Sequence, residues 1–105
     1  MALINLSNDE KRVVFECVKA AAEGPFFPDW EFHTLFGLER SEVTQILSGW
    51  PDIDEHDMKV RVAISNSMNN LIGYPHNCEK IWDDYISVSL PEVEKIFGKW
   101  EDDYI

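Results

Sequence analysis

FHTLFGLERSEVTQILSGW (32–50) lies over WDDYISVSLPEVEKIFGKW (82–100) when the chain is shifted by fifty residues, and this sets Glu42 on Glu92, Val43 on Val93, Ile46 on Ile96 and Trp50 on Trp100. Phe32, Leu35, Phe36, Leu38 and Leu47 meet Trp82, Tyr85, Ile86, Val88 and Phe97 at the same offset. Upstream, Val14, Val18, Ala21 and Ala22 meet Ile64, Met68, Leu71 and Ile72, and Pro25 meets Pro75. Self-similarity at a fixed period marks a structural unit used twice, here a three-helix unit with halves at about 7–50 and 57–100.

The local signals place the helices. Ser7-Asn8-Asp9-Glu10 has the S-x-x-E form of a capping box, and Val13, Val14, Cys17, Val18 and Ala21 follow at helical spacing until Gly24-Pro25. This predicts a first helix over about 8–23. Pro28-Asp29 opens a short second helix through Phe32, Leu35 and Phe36, ended by Gly37, and Ser41 is placed to cap a third that carries Val43, Ile46, Leu47 and Trp50. In the second half, Asp54, Glu55 and Asp57 suit the positive end of a fourth helix with Val60, Ile64, Met68, Leu71 and Ile72 as its stripe. A short fifth helix over about 79–86 and a sixth capped by Ser89-Leu90-Pro91-Glu92 complete the pattern. Tyr85-Ile86-Ser87-Val88-Ser89 alternates like a strand, but its alignment with the second helix and its turn overrides that reading. Only Trp50-Pro51-Asp52-Ile53 joins the halves, with no Gly/Ser linker, so they are expected to pack directly. The expected architecture is all-α: one compact six-helix domain spanning residues 1–105.

Composition narrows the partners. Hydrophobic residues make up 45% of the 105, including four Trp, six Phe and three Tyr, enough to build a core without disulfide or metal staples. Twenty acidic residues against nine basic give a net charge of −11. Such a field repels phosphate backbones and anionic lipid, so neither nucleic acid nor membrane is an expected partner, and a basic protein is. The same charge also serves solubility. MALINLSNDEKR puts its basic pair after its apolar residues, the wrong order for a secretory signal. Cys17 falls on a helix stripe and Cys78 near a loop, and their counterparts at the offset are Ser67 and Pro28. No disulfide is expected, and a cytoplasmic location fits.

LFGLERSEVTQILSGW resembles the helix-turn-helix of bacterial DNA-binding regulators, with Gly37-Leu38 in the turn. The would-be recognition helix is expected to expose Glu39, Arg40, Glu42, Thr44 and Gln45, and one Arg between two Glu is poor chemistry for base edges and phosphates. Asp52-Ile53-Asp54-Glu55-His56-Asp57 clusters carboxylates but lacks the EF-hand spacing and glycine, so helix capping explains it better than a metal. His33, His56 and His76 form no H-E-x-x-H or paired-Cys pattern, and no G-x-S-x-G elbow is present. Neither a metal, a cofactor nor an enzymatic activity is expected.

The loops Gly24-Pro25-Phe26-Phe27-Pro28-Asp29-Trp30-Glu31 and Gly73-Tyr74-Pro75-His76-Asn77-Cys78-Glu79 occupy equivalent places in the halves and would share a face under a pseudo-twofold. Phe26 and Phe27 have an alternative place in the core between the halves. Carboxylates also follow each terminal Trp: Asp52 and Asp54 after Trp50, and Glu101, Asp102 and Asp103 after Trp100. Aromatic anchors rimmed by acid suit a binder of a basic protein, charge providing steering and rings providing hot spots.

In PFFPDWEFHTLFGLERSEV and NNLIGYPH, and in being small, acidic and helical, the chain resembles the bacterial immunity proteins of contact-dependent growth inhibition and other polymorphic-toxin systems. That resemblance implies a monomer that binds a cognate basic toxin domain, a nuclease in the first instance, and covers its active site or substrate groove. The candidate contacts are Asp29, Trp30, Glu31, Asp52, Asp54, Asp83 and Asp84. The alternatives are a helix-turn-helix regulator and an acidic adaptor in a protein complex. Positions where the halves diverge, such as Trp30 against Lys80 and His33 against Asp83, are where function is expected to sit.

Overall fold

A computed structural model of the chain, describing residues 3–102, begins its first helix as the capping box requires. Ser7 Oγ accepts from the Glu10 backbone N–H at 3.1 Å while Glu10 Oε1 accepts from the Ser7 N–H at 2.9 Å. Two of the four donors left over at the helix start are thereby satisfied. The helices are α1 (Asn8–Glu23), α2 (Asp29–Phe36), α3 (Arg40–Ser48), α4 (Met58–Gly73), α5 (Trp82–Tyr85) and α6 (Leu90–Asp102). Short 3-10 turns at Leu3–Asn5 and Glu79–Ile81 precede α1 and α5. No strand occurs among the described residues; the 85–89 segment leaves α5 through an extended Ile86 and enters α6.

Several boundaries differ from the sequence expectation: α3 ends at Ser48, before Trp50, and the start of the expected fifth helix is the 3-10 turn Glu79–Ile81. Ser41 lies inside α3, which is capped two residues earlier because Glu42 reaches back to accept from the Glu39 N–H at 2.9 Å. The last helix runs through Asp102, so Glu101 and Asp102 belong to its final turn; Asp103 lies outside the described residues. Gly37 ends α2 in the left-handed conformation at φ 70, where a side chain would be strained.

Helix starts recur at the fifty-residue spacing, Asn8 with Met58 and Arg40 with Leu90. The short helix of each half crosses to the long helix of the other, α2 onto α4 and α5 onto α1, while α3 lies on α1 and α6 on α4. Where α1 meets α4 the stripes interlock: Val14, Val18 and Ala21 of one and Ile64, Met68 and Leu71 of the other are all buried. Each fully buried Val, Leu, Ile, Met or Phe side chain stabilises by roughly 1.5–3 kcal/mol, so this seam accounts for much of the core. Val43 and Val93 are fully enclosed, but the shared terminal Trp is treated differently in the two halves. Trp100 is buried, while Trp50 is half-buried against Phe15, with ring centroids 5.5 Å apart.

The acidic run before α4 divides its labour. Asp57 caps the helix by accepting from the Lys59 N–H at 2.8 Å, and Asp54 closes a turn on the His56 N–H at 2.9 Å. Glu55 does neither; it turns inward and is only 9% exposed. Its Oε1 accepts from the Leu3 N–H at 2.9 Å and its Oε2 from the Trp100 indole N–H at 3.0 Å. One side chain thus joins the first turn, the connection between halves and the last helix. Burying a carboxylate is costly unless both oxygens find donors, which here they do. Among the described residues no helix is long and apolar enough to cross a membrane.

Candidate partner-binding face

The FFPDW loop splits by burial. Phe26 and Phe27 are 1% and 2% exposed, the core placement, whereas Trp30 is 79% exposed on the first turn of α2. Phe26 meets the rings of His76, Tyr85 and Trp82 edge-on at 5.0, 5.4 and 6.1 Å, and Phe27 meets Phe36 and Tyr74 at 5.4 and 5.6 Å. These contacts bring the two equivalent loops together, as does the Cys78 thiol at 3.6 Å from the Pro25 carbonyl. Cys17 and Cys78 are both free thiols, and burial pushes the Cys17 thiol far up from its ordinary value.

Beside Trp30, Asp29 is exposed and sits 3.0 Å from Arg40, and Glu31 accepts a short hydrogen bond from the Tyr74 hydroxyl. That bond and the Glu31 charge hold the Tyr74 phenol above its ordinary value. Tyr74 forms part of a groove of about 480 Å³ at the end of α4, with His76, Glu79, Trp82, Asp83 and Leu90 on its walls. Within it, His76 Nδ1 accepts from the Cys78 N–H at 3.0 Å, which places the ring proton on Nε2, 3.2 Å from the Leu71 carbonyl. Asp84 lies past the groove, in a depression shared with Lys19, Glu23 and Tyr85.

Asp52 and Asp54 do not join this face. Asp54 lines a separate cavity of about 390 Å³ with Ile4, Lys11, Trp50 and Glu55, near the starts of α1 and α4. Both helices are 16 residues long and finish at the other end, which separates the two places by roughly 24 Å at 1.5 Å per residue. The sequence candidates therefore fall into two groups. Glu31 and Asp83 are linked through Tyr74, Asp29 pairs with Arg40 and Trp30 stands exposed between Asp29 and Glu31 in sequence, with Asp84 past the groove, while Asp52 and Asp54 stand apart.

Arg40 departs most from expectation. It does not project from a recognition helix but folds back, half-buried, onto the end of α1. Its Nη1 donates to the Ala21 and Ala22 carbonyls at 3.1 and 3.0 Å, and its Nη2 donates to the Phe27 carbonyl at 2.7 Å. The guanidinium also lies 4.3 Å from the Phe32 ring centroid and pairs with Asp29. A cation at the first position of a helix opposes the macrodipole, and that mismatch was the available sign that Arg40 had a partner elsewhere. Glu42 is likewise engaged, with Lys59 Nζ 2.6 Å away. Tyr74 and Glu79 belong to the second of the two loops expected to share a face, whereas Leu90 was not singled out from sequence, because nothing in its local pattern sets it apart.

Among the described residues no group of three or more His, Cys, Asp or Glu side chains is arranged to hold a metal ion. No protein-family model, curated protein or solved structure matches the chain.

Proposed function

We propose that this chain is a cytoplasmic immunity protein that binds a cognate basic toxin domain, a nuclease in the first instance, and blocks its active site or substrate groove. Trp30 carries the reading: a large ring held in solvent by a helix whose Phe residues are buried, between two carboxylates of which one, Glu31, is bonded to Tyr74 of an acid-lined groove. An exposed Trp is a poor investment for stability and a common hot spot, typically worth 2 kcal/mol or more when truncated. The net charge of −11 supports long-range steering toward a basic surface, with acidic side chains standing in for substrate phosphates in this reading. Engagement of Arg40 leaves α3 without a cation to reach DNA, which weighs against the regulator reading.

The reading expects a neighbouring reading frame that encodes a toxin with a basic C-terminal domain. Trp30→Ala should weaken binding of that domain by about 30-fold or more, measured calorimetrically, with an unchanged helical circular dichroism spectrum. Undiminished binding by the variant, or a gene neighbourhood with no such toxin, would overturn it. No DNA shift is expected at low salt, where a phosphate-binding protein must show one.

A further inference from the structure

Arg40 is the first residue of α3, and the residue fifty positions later, at the start of α6, is Leu90. The Arg40 guanidinium is held by the carbonyls of Ala21, Ala22 and Phe27, the Asp29 carboxylate and the Phe32 ring. The corresponding positions in the second half are Leu71, Ile72, Asn77, Glu79 and Trp82. Four of those five, together with Leu90, line the groove at the end of α4. The groove is the second half's version of the Arg40 seat, and Leu90 has no cation to fill it.

The walls keep the chemistry of the filled seat. Trp82 replaces Phe32, and an indole face attracts a cation more strongly than a phenyl face does. Glu79 replaces Asp29, and Asp83 adds a second carboxylate. His76 Nε2 takes over the Leu71 carbonyl, the counterpart of one Arg40 acceptor. No Lys or Arg lies among the groove's lining residues. Its volume of about 480 Å³ falls in the range of side-chain and small-ligand sites, roughly 300–1,000 Å³.

The geometry points to this groove as a socket for an arginine side chain of the partner protein. Arginine is favoured over lysine because its planar fork can stack on Trp82 while donating to the carboxylates, as Arg40 does on Phe32 and Asp29. The socket deepens the reading of an inhibitor of basic domains and rests on that reading only for the source of the arginine.

The probe is a short neutral-capped peptide with one central arginine, titrated into isotope-labelled protein by NMR alongside its citrulline and lysine counterparts. Saturable shifts are expected at Leu71, Ile72, Glu79 and the Trp82 indole, absent with citrulline and at least about fivefold weaker with lysine. Glu79→Gln should weaken the arginine peptide by about fivefold or more. Leu90→Arg should fill the socket from within, abolishing peptide binding and raising the Tm; if that variant does not fold, Glu79→Gln decides alone. Equal binding of the three peptides, shifts scattered over the acidic surface, or full peptide affinity in either folded variant would overturn the socket. Toxin capture separates the two ideas. Peptide binding here with no neighbouring toxin removes the proposed function and keeps the socket, whereas toxin capture with no peptide binding removes the socket and keeps the function.

Discussion

Cys17 and Ser67, fifty residues apart, are both fully buried, and Arg40 and Leu90, also fifty apart, each begin a helix. In the first half both positions are chemically settled, by a thiol content in an apolar setting and a guanidinium with acceptors on all sides. In the second half the first position holds a hydroxyl without a hydrogen-bond partner, and the second leaves a groove. Positions fifty residues apart thus differ in how completely their polar groups are paired. The half with Arg40 at this position closes its seat internally, and the half with Leu90 there keeps an open acid-lined groove.

The most severe way to break that comparison is to empty the filled seat. Arg40→Ala removes donors from the carbonyls of Ala21, Ala22 and Phe27 and leaves a space over Phe32. Hydrogen bonds from a charged donor are worth about 1.5–3 kcal/mol each, partly regained here through water, so a loss of roughly 3 kcal/mol is expected in urea unfolding. Arg40→Lys should recover only part of it, because an ammonium cannot reproduce the fork. A cost below about 0.5 kcal/mol for the alanine variant would show that Arg40 only decorates the surface.

Trp50 and Trp100 give the next test. Only Trp100 has Glu55 beneath its indole, so Glu55→Ala should strand the Trp100 and Leu3 N–H groups at a cost of about 2–3 kcal/mol. Glu55→Gln, which keeps one acceptor oxygen, should cost less. Equal losses for the two variants would mean that both carboxylate oxygens are required and that neither the side chain's volume nor a single acceptor compensates. A smaller effect of opposite sign is expected at Ser67. Removing an unpaired buried hydroxyl stabilises by about 1 kcal/mol, so Ser67→Ala or Ser67→Cys, the latter copying Cys17, should raise the unfolding midpoint. Destabilisation by both would indicate that the hydroxyl has a partner in solution.

Most of the fold was legible because it depends on near neighbours. The S-x-x-E box at Ser7, the apolar stripe of α1 and the offset pairing of Val43 with Val93 are written within a few residues or in a periodic pattern. Trp30, Asp29, Glu31 and Asp83 were legible as candidates by the same logic of exposed acid and divergence between halves. Arg40 and Glu55 were not, because their partners lie far along the chain. Arg40 reaches carbonyls 13 to 19 residues away, and Glu55 reaches Leu3 and Trp100 across 52 and 45 residues. In DIDEHD, local pattern cannot tell the one carboxylate that turns inward from those that cap or solvate; only the arriving indole decides it. The FFPDW loop posed the same problem, since burial of two rings and exposure of the third is set by Tyr74, His76 and Trp82 of the other half.

The smallest expected effect lies in the seams that tie each half's last helix to the other half. Glu42 of α3 holds Lys59 of α4 at 2.6 Å, and Lys99 of α6 holds Glu10 of α1 at 2.7 Å, so the same kind of seam is pinned by residues that are not fifty apart. The hydrogen bond from Lys59 keeps the Glu42 carboxyl below the ordinary value of 4.5, and the bond from Lys99 does the same for Glu10. A carboxylate whose pKa is depressed by folding adds stability that is present above its unfolded value and is lost as pH falls through the folded one. Lys59 is raised above 10.5, chiefly by its bond to Glu42, so the pair's contribution is present below that value and is lost again as pH rises through the folded one. Stability should therefore be flat in these pairs between about pH 5 and 10 and slope downward beyond both ends. Glu42→Gln should flatten part of both the acid and the alkaline slope, and Lys99→Met should flatten part of the acid slope. Because the partners are largely solvated, 0.5 M salt should shrink these differences. Slopes unchanged by either substitution in unfolding curves at pH 3 to 11 would show that the seams are held by their apolar contacts alone.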